Sequence, residues 1–210
     1  MSENNTLVME VFTDYVCPWC YLASGVIEKL EASNREVEVR WSPFPLHPDT
    51  PKEGLLLESF LGPNLDAVHE RLYGLMDELG LEHCDRTMTY NSRLAQELGM
   101  WADDQVASNK AKAFHRALYR AYFAKDQNLA NKQVLMDVVD ATGLDVSSAE
   151  KVINERSYSD NVDGAWARAR QLQISGVPSF IAGSYMATGF QPYEEILKFL
   201  EYVEIQQARG

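Results

Sequence analysis

The sequence predicts an α/β fold in which the two ends of the chain build one sheet domain and a large all-helical insertion splits it. Three observations predict this. The chain opens strand, helix, strand. Its middle shows only helical spacing, and its last stretch returns to two short strands and a helix. The expected division is a sheet domain from residues 1–60 and 173–210, with a helical insertion from 61–172.

Leu7–Thr13 is apolar and partly β-branched with little polar alternation, the pattern of a buried central strand. Residues 14–18 break it. From Trp19 the spacing turns helical, with Leu22, Val26, Ile27 and Leu30 on one face and Asn34 as the stop. Residues 37–41 alternate as a second strand, completing a βαβ unit with a parallel pair. Four prolines in residues 42–51 then predict a loop and a boundary.

From about Leu65 to Leu172 the periodicity predicts helices alone. One carries Leu72, Leu75, Met76 and Leu79 and stops at Gly80; others follow through Leu94 and Leu98, through Phe114 and Leu118, and through Leu135 and Val139 to Gly143. Ser147-Ser148-Ala149-Glu150 reads as a capping box for a fifth, and Val162, Trp166 and Ala169 mark a sixth. After Gly176-Val177-Pro178, two strand-like stretches flank Gly183-Ser184, a two-residue hairpin signal. Pro192 stands where a last helix begins, with Ile196, Leu197, Leu200 and Val203 on its apolar face.

The net charge of −12, with no long Lys/Arg cluster, excludes a phosphate-tracking surface, so neither nucleic acid nor an anionic membrane is expected as a partner. The first residues show no basic start followed by an apolar run, and no apolar run is long enough to span a bilayer; a cytoplasmic location is expected. A chain of 210 residues needs no disulfide staples to fold. A zinc site from Cys17, Cys20, Cys84 and His83 lacks the close four-ligand spacing of such sites, so no metal is expected.

Chemistry concentrates in Asp14-Tyr15-Val16-Cys17-Pro18-Trp19-Cys20-Tyr21, at the end of the first strand and the start of the first helix. Backbone N–H groups at a helix start lack partners, and the dipole there favours negative charge. Such positions bring a cysteine from about 8.5 down to roughly 3.5–7.5, which predicts a reactive thiolate at Cys17. Cys20 follows one helical turn later, within reach to resolve a mixed disulfide. The alternative is two inert thiols packed in a helix. A second feature, Gly176-Val177-Pro178-Ser179-Phe180, puts a proline at the first residue of a strand, where it needs a reason; on sequence alone a trans bond is the default.

These stretches, with Ala117-Leu118-Tyr119-Arg120-Ala121-Tyr122-Phe123 and Gly189-Phe190-Gln191-Pro192-Tyr193, resemble the DsbA family, and within it the cytosolic FrnE-like branch. The resemblance spans nearly the whole chain. It implies a thioredoxin-like sheet domain with a helical insertion capping the site. It implies a cis Pro178 facing the Cys17–Cys20 pair, an exposed nucleophile at Cys17 and a resolving thiol at Cys20. The backbone of Val177 would pair with a bound substrate segment, with Pro18 and Trp19 as further substrate contacts. The function implied is thiol–disulfide exchange on protein or small-molecule thiols and disulfides, with no resident cofactor and glutathione as a conceivable co-substrate; a homodimer stays open. Two departures stand out. Periplasmic DsbA carries an acid six residues before its first cysteine, where this chain has Val11, with Glu10 on the opposite strand face. Near position 91 the branch shows Asn-Pro or Asn-Thr; here it is Asn91-Ser92.

Of the remaining residues, Cys84 reads as a small filler rather than a third redox thiol. His115 reads as a core or surface histidine, and Tyr119, Tyr122 and Phe123 as core. Phe44 and His47 are expected at the rim, and Trp19 against substrate, insertion or both. Two other functions share the fold or the groove. One is a glutathione-dependent isomerase or transferase similar to 2-hydroxychromene-2-carboxylate isomerases and kappa-class glutathione transferases, which use a serine where this chain has Cys17. The other is a non-enzymatic client-binding module.

Overall fold

The structure, a computed structural model, describes residues 6–33 and 35–209. β1 (Leu7–Thr13) leads into α1 (Pro18–Glu31) and then β2 (Val37–Pro43). β1 and β2 pair in parallel from Leu7 opposite Val37 to Thr13 opposite Pro43. The intervening block holds β3 (Leu55–Leu56), α2 (Glu58–Leu61), α3 (Leu65–Glu78), β4 (Met88–Thr89), α4 (Arg93–Gln105), α5 (Ser108–Phe123), α6 (Lys132–Ala141), α7 (Val146–Glu155) and α8 (Ser159–Gln171). β5 (Ser179–Ala182), β6 (Tyr185–Thr188) and α9 (Tyr193–Gln207) complete the chain. The main sheet has the order β2-β1-β5-β6, with β5 antiparallel to β1 and β6 antiparallel to β5. Gly183, at φ +56°, makes the tight hairpin turn between β5 and β6 that a side chain would strain.

The buried residues form two cores. Leu7, Met9 and Val11 of β1 and Phe180 and Ala182 of β5 pack with Val26, Ile27 and Leu30 of α1 and Ile196, Leu200 and Val203 of α9. This follows from period-two alternation meeting helical spacing. Phe12 belongs to a second, larger cluster with the inner residues of α1, including Tyr21 and Leu22, and the helical block, including Leu98, Phe114, Leu118 and Tyr122. Glu10 leaves the first core, accepts from Ser42 Oγ at 2.6 Å and pairs with Arg168 of α8. α8 contacts both β2 and α4, so it joins sheet to insertion.

Four sequence expectations need correction or placement. The middle block is not helical throughout: Met88–Thr89 pairs antiparallel with Leu55–Leu56, in strands too short to show any period. α7 starts at Val146, with Asp145 accepting from Ser148 N–H at 2.6 Å, so the capping box read at Ser147 lies inside the helix. Pro192 is the N-cap of α9 rather than its first residue. Asn34 lies outside the described residues, and α1 ends at Glu31.

Candidate active site

Cys17 is the N-cap of the 14-residue α1, and Pro18 follows where a missing N–H leaves nothing unsatisfied. The Cys17 carbonyl accepts from the N–H groups of Cys20 and Tyr21, both at 3.1 Å, which fixes the first turn and stacks the two cysteines on it. All three cysteines are free thiols. The Val177–Pro178 bond is cis, and the Cys17 thiol donates to the Val177 carbonyl across 3.6 Å. Two segments 160 residues apart therefore meet at one sulfur. The Gly189 N–H donates to the Pro178 carbonyl at 2.8 Å, bringing Phe190 in beside the loop. Trp19, between the thiols, is half-buried; its ring lies 6.4 Å from that of Phe190 and 5.5 Å from the Arg71 guanidinium of α3.

Cys17 was expected to be exposed, and it is not: it is 2% accessible and Cys20 is fully buried. Both belong to the insertion-facing cluster, together with Tyr15, Val16, Tyr21 and Val177. Burial first, then hydrogen bonding with Cys17 and repulsion from its charge, push the Cys20 thiol well above the usual cysteine range, with Thr13 opposing.

Around the pair lies a buried polar shell. Asp14, 1% exposed, accepts from Val16 N–H at 3.2 Å, Leu46 N–H at 3.1 Å and Gln96 Nε2 at 3.1 Å. Desolvation raises its pKa from 3.8 to about 6 despite these bonds. Gln96 of α4 also donates to the Phe44 carbonyl at 2.9 Å and accepts from Trp166 Nε1 of α8 at 2.9 Å. One carboxylate and one amide thereby tie the thiol loop, the proline-rich loop and two insertion helices together. Beside it, Tyr15 Oη bonds His115 Nδ1 at 2.6 Å and His115 Nε2 bonds Asp103 at 2.9 Å; Thr13 bonds the hydroxyl of Tyr119. Burial pushes both Tyr15 and Tyr119 well above the ordinary tyrosine range. His115 is therefore a core residue with two partners.

Other expected residues stand apart. Cys84 donates to the Phe123 carbonyl at 3.5 Å, and burial raises its thiol; the charges acting on it are Asp126, Arg86 and Asp85, not the other cysteines. Phe44 serves through its backbone, and burial lowers the His47 pKa. Among the described residues no group of three or more His, Cys, Asp or Glu is placed to hold a metal, and no helix is long and apolar enough to cross a membrane. A cavity of about 580 Å³ lies between α1, α5 and α6, lined by Tyr21, Arg116, Arg120 and Lys125 among others, and neither cysteine lines it.

Gln96 and Arg71 were not named from sequence, and Asp14 and Phe190 stood only within longer stretches, with no role of their own. Asp14 carried a signal, an acid three residues before Cys17 at a strand end. Gln96, 82 residues away from its carboxylate partner, carried none.

The geometry agrees with the comparisons. The sequence pattern of the DSBA-like thioredoxin domain matches residues 8–201. The chain belongs to that family. The family is one of thiol–disulfide oxidoreductases, which makes this chain an enzyme of that class. A relative, the uncharacterized protein YwbO of Bacillus subtilis (strain 168), is 26% identical over 196 residues, covering 88% of this chain and 90% of its own. A probable DsbA oxidoreductase from Streptomyces coelicolor superposes with a TM-score of 0.83 at 24% identity, over 94% of this chain and 89% of that one. A 2-hydroxychromene-2-carboxylate isomerase superposes at 0.74 with 19% identity, over 96% of each chain. The cytosolic disulfide reductase DsbM of Pseudomonas aeruginosa, solved with GSH, superposes at 0.65 with 15% identity, over 97% of this chain and all of that one. Likenesses this distant establish the thioredoxin-like fold with its helical insertion; they do not carry substrate.

Proposed function

We propose that this chain exchanges disulfides through Cys17 and Cys20, with Cys17 attacking and Cys20 resolving. The observation that carries the reading is the Cys17 sulfur at the start of α1, one turn from Cys20 and in contact with the Val177 carbonyl. The positive end of the α1 dipole lies at Cys17, where negative charge developing on the attacking sulfur is favoured, while burial raises the Cys20 thiol. The Cys17 thiolate attacks one sulfur of a substrate disulfide; that S–S bond breaks, a Cys17 mixed disulfide forms, and the first substrate thiolate leaves. Cys20 then loses its proton and attacks Cys17, expelling the second substrate thiolate and leaving a Cys17–Cys20 disulfide. The substrate gains two electrons and the enzyme loses two. An external small thiol, with glutathione the one proposed, restores the dithiol; in a thiol-rich compartment such as the cytoplasm the exchange runs toward substrate reduction.

Substrate backbone is placed along Val177–Pro178, with Pro18 and Trp19 against its side chains. Residues 1–60 and 173–210 act as the platform and 61–172 as the cap. Because both sulfurs are buried, attack requires the cap or the Trp19–Phe190 contact to part.

The test is turnover of a model disulfide by glutathione together with mass spectrometry of trapped adducts. Cys17→Ser is expected to abolish both turnover and adduct. Cys20→Ser is expected to accumulate a one-to-one adduct on Cys17. Full turnover in Cys17→Ser would refute the assignment.

A further inference from the structure

The geometry points to Arg71 as a specificity residue that receives a carboxylate of the disulfide substrate, making disulfides with an anionic group beside the reacting sulfur the preferred class. This rests on the thiol–disulfide reading above and extends it to a residue outside the thiol motif.

Arg71 projects from α3, in the insertion, onto Trp19, the residue between the two thiols. Trp19 is flanked on its other contact by Phe190, whose neighbour Gly189 is bonded to Pro178. The guanidinium thus stands at the rim where the thiol loop, the Val177–Pro178 loop and the insertion converge. It is exposed, and among the described residues it forms no ion pair, whereas Arg93, Arg120, Arg156 and Arg168 each hold an acid. Helical geometry explains why. The positions that face Arg71 along α3 are Ala67, Val68, Gly74 and Leu75, and none carries an acid. A guanidinium lying on an indole is oriented through its face, which leaves its in-plane N–H donors free for a carboxylate.

Charge gives this local arrangement its consequence. A chain of net charge −12 repels anionic substrates at long range. An unpaired cation on the ring of Trp19, two residues from Cys17, reverses that repulsion locally and fixes the substrate by paired hydrogen bonds. A neutral disulfide gains nothing from it.

The experiment measures second-order rates of Cys17 with two disulfide probes, dianionic 5,5′-dithiobis(2-nitrobenzoate) and neutral 2,2′-dithiodipyridine, in a Cys84→Ser background. Each reaction releases one chromophoric thiol per mixed disulfide formed. Arg71→Ala is expected to lower the anionic-to-neutral rate ratio about fivefold, the scale of an exposed charge pair. Arg71→Lys is expected to restore part of it, and 1 M salt to bring wild type close to Arg71→Ala. A ratio unchanged by Arg71→Ala, or a loss shared equally by both probes, overturns the proposal. If the neutral probe fails to label Cys17 at all, it is the thiol–disulfide reading that falls.

Discussion

The molecule has two buried cores, one facing α9 and the body of α1 and the other facing the insertion, and they divide its work. Against α1 and α9 the buried cluster is made of Leu, Ile, Val, Met, Ala and Phe, with no titratable or hydrogen-bonding side chain. Against the insertion the buried cluster includes Cys17, Cys20 and four tyrosines, and Thr13, Asp14, Gln96, Glu97 and His115 are buried too. The first is ordinary close packing, which stabilises by area and has no stake in pH. The second buries polar groups that are tolerable only while every partner is in place. The thiols sit in the second of these, so their burial depends on the insertion.

The sharpest way to break this division is a cavity in the apolar core. Leu200→Ala in α9, fully buried, is expected to destabilise the chain by about 4 kcal/mol in urea unfolding. The rate of Cys17 with a neutral disulfide, measured on the folded fraction, should stay within twofold. A tenfold change in that rate would mean that the cores are not independent.

Asp14 tests the other core. Its folded pKa of about 6 stands above the value of 3.8 it has when free, so between these values the folded chain binds a proton that the unfolded chain has released. Stability therefore falls as pH rises from about 4 to 6, by up to about 3 kcal/mol at ~1.4 kcal/mol per pKa unit. In urea unfolding across this range, the difference between wild type and Asp14→Asn should carry that slope. Parallel curves for the two proteins would remove Asp14 from the account.

These two cores also differ in how far the sequence discloses them. β1 follows from its apolar run, β2 from alternation, β5 and β6 from the Gly183-Ser184 turn between them, and α1 and α9 from helical spacing. The Cys17–Cys20 turn was legible for a local reason as well, as a strand end running into a helix start. The buried shell was not. Asp14 meets Gln96 of α4, Tyr15 meets His115 of α5, and Trp19 meets Arg71 of α3, each through a fold-level approach that no local period encodes. The burial of Cys17 was missed because a helix start is normally wet, and here the insertion-facing cluster encloses it.

The smallest effect concerns the fit between Tyr15 and α4. Gly99 lies mid-helix, where alanine is ordinarily preferred by about 1 kcal/mol. A Cβ at Gly99, however, would collide with the Tyr15 hydroxyl and lie 3.3 Å from His115 Cε1. Tyr15 cannot swing aside freely, since its ring is buried and its hydroxyl is held by His115. Gly99→Ala is therefore expected to destabilise by about 1 kcal/mol, crowding outweighing helix propensity. Tyr15→Phe alone should lose a further 1–2 kcal/mol or so by leaving His115 Nδ1 unpartnered. Removing the hydroxyl also removes the collision, because the ring carbon that bore it lies at an ordinary 3.4 Å from the new Cβ. In the Tyr15→Phe background Gly99→Ala should then be neutral or stabilising, a coupling of about 1 kcal/mol or more between residues 84 positions apart. Strict additivity in denaturant unfolding would show that the glycine is not there to accommodate the tyrosine, and that the thiol loop is held to α4 through Asp14 and Gln96 alone.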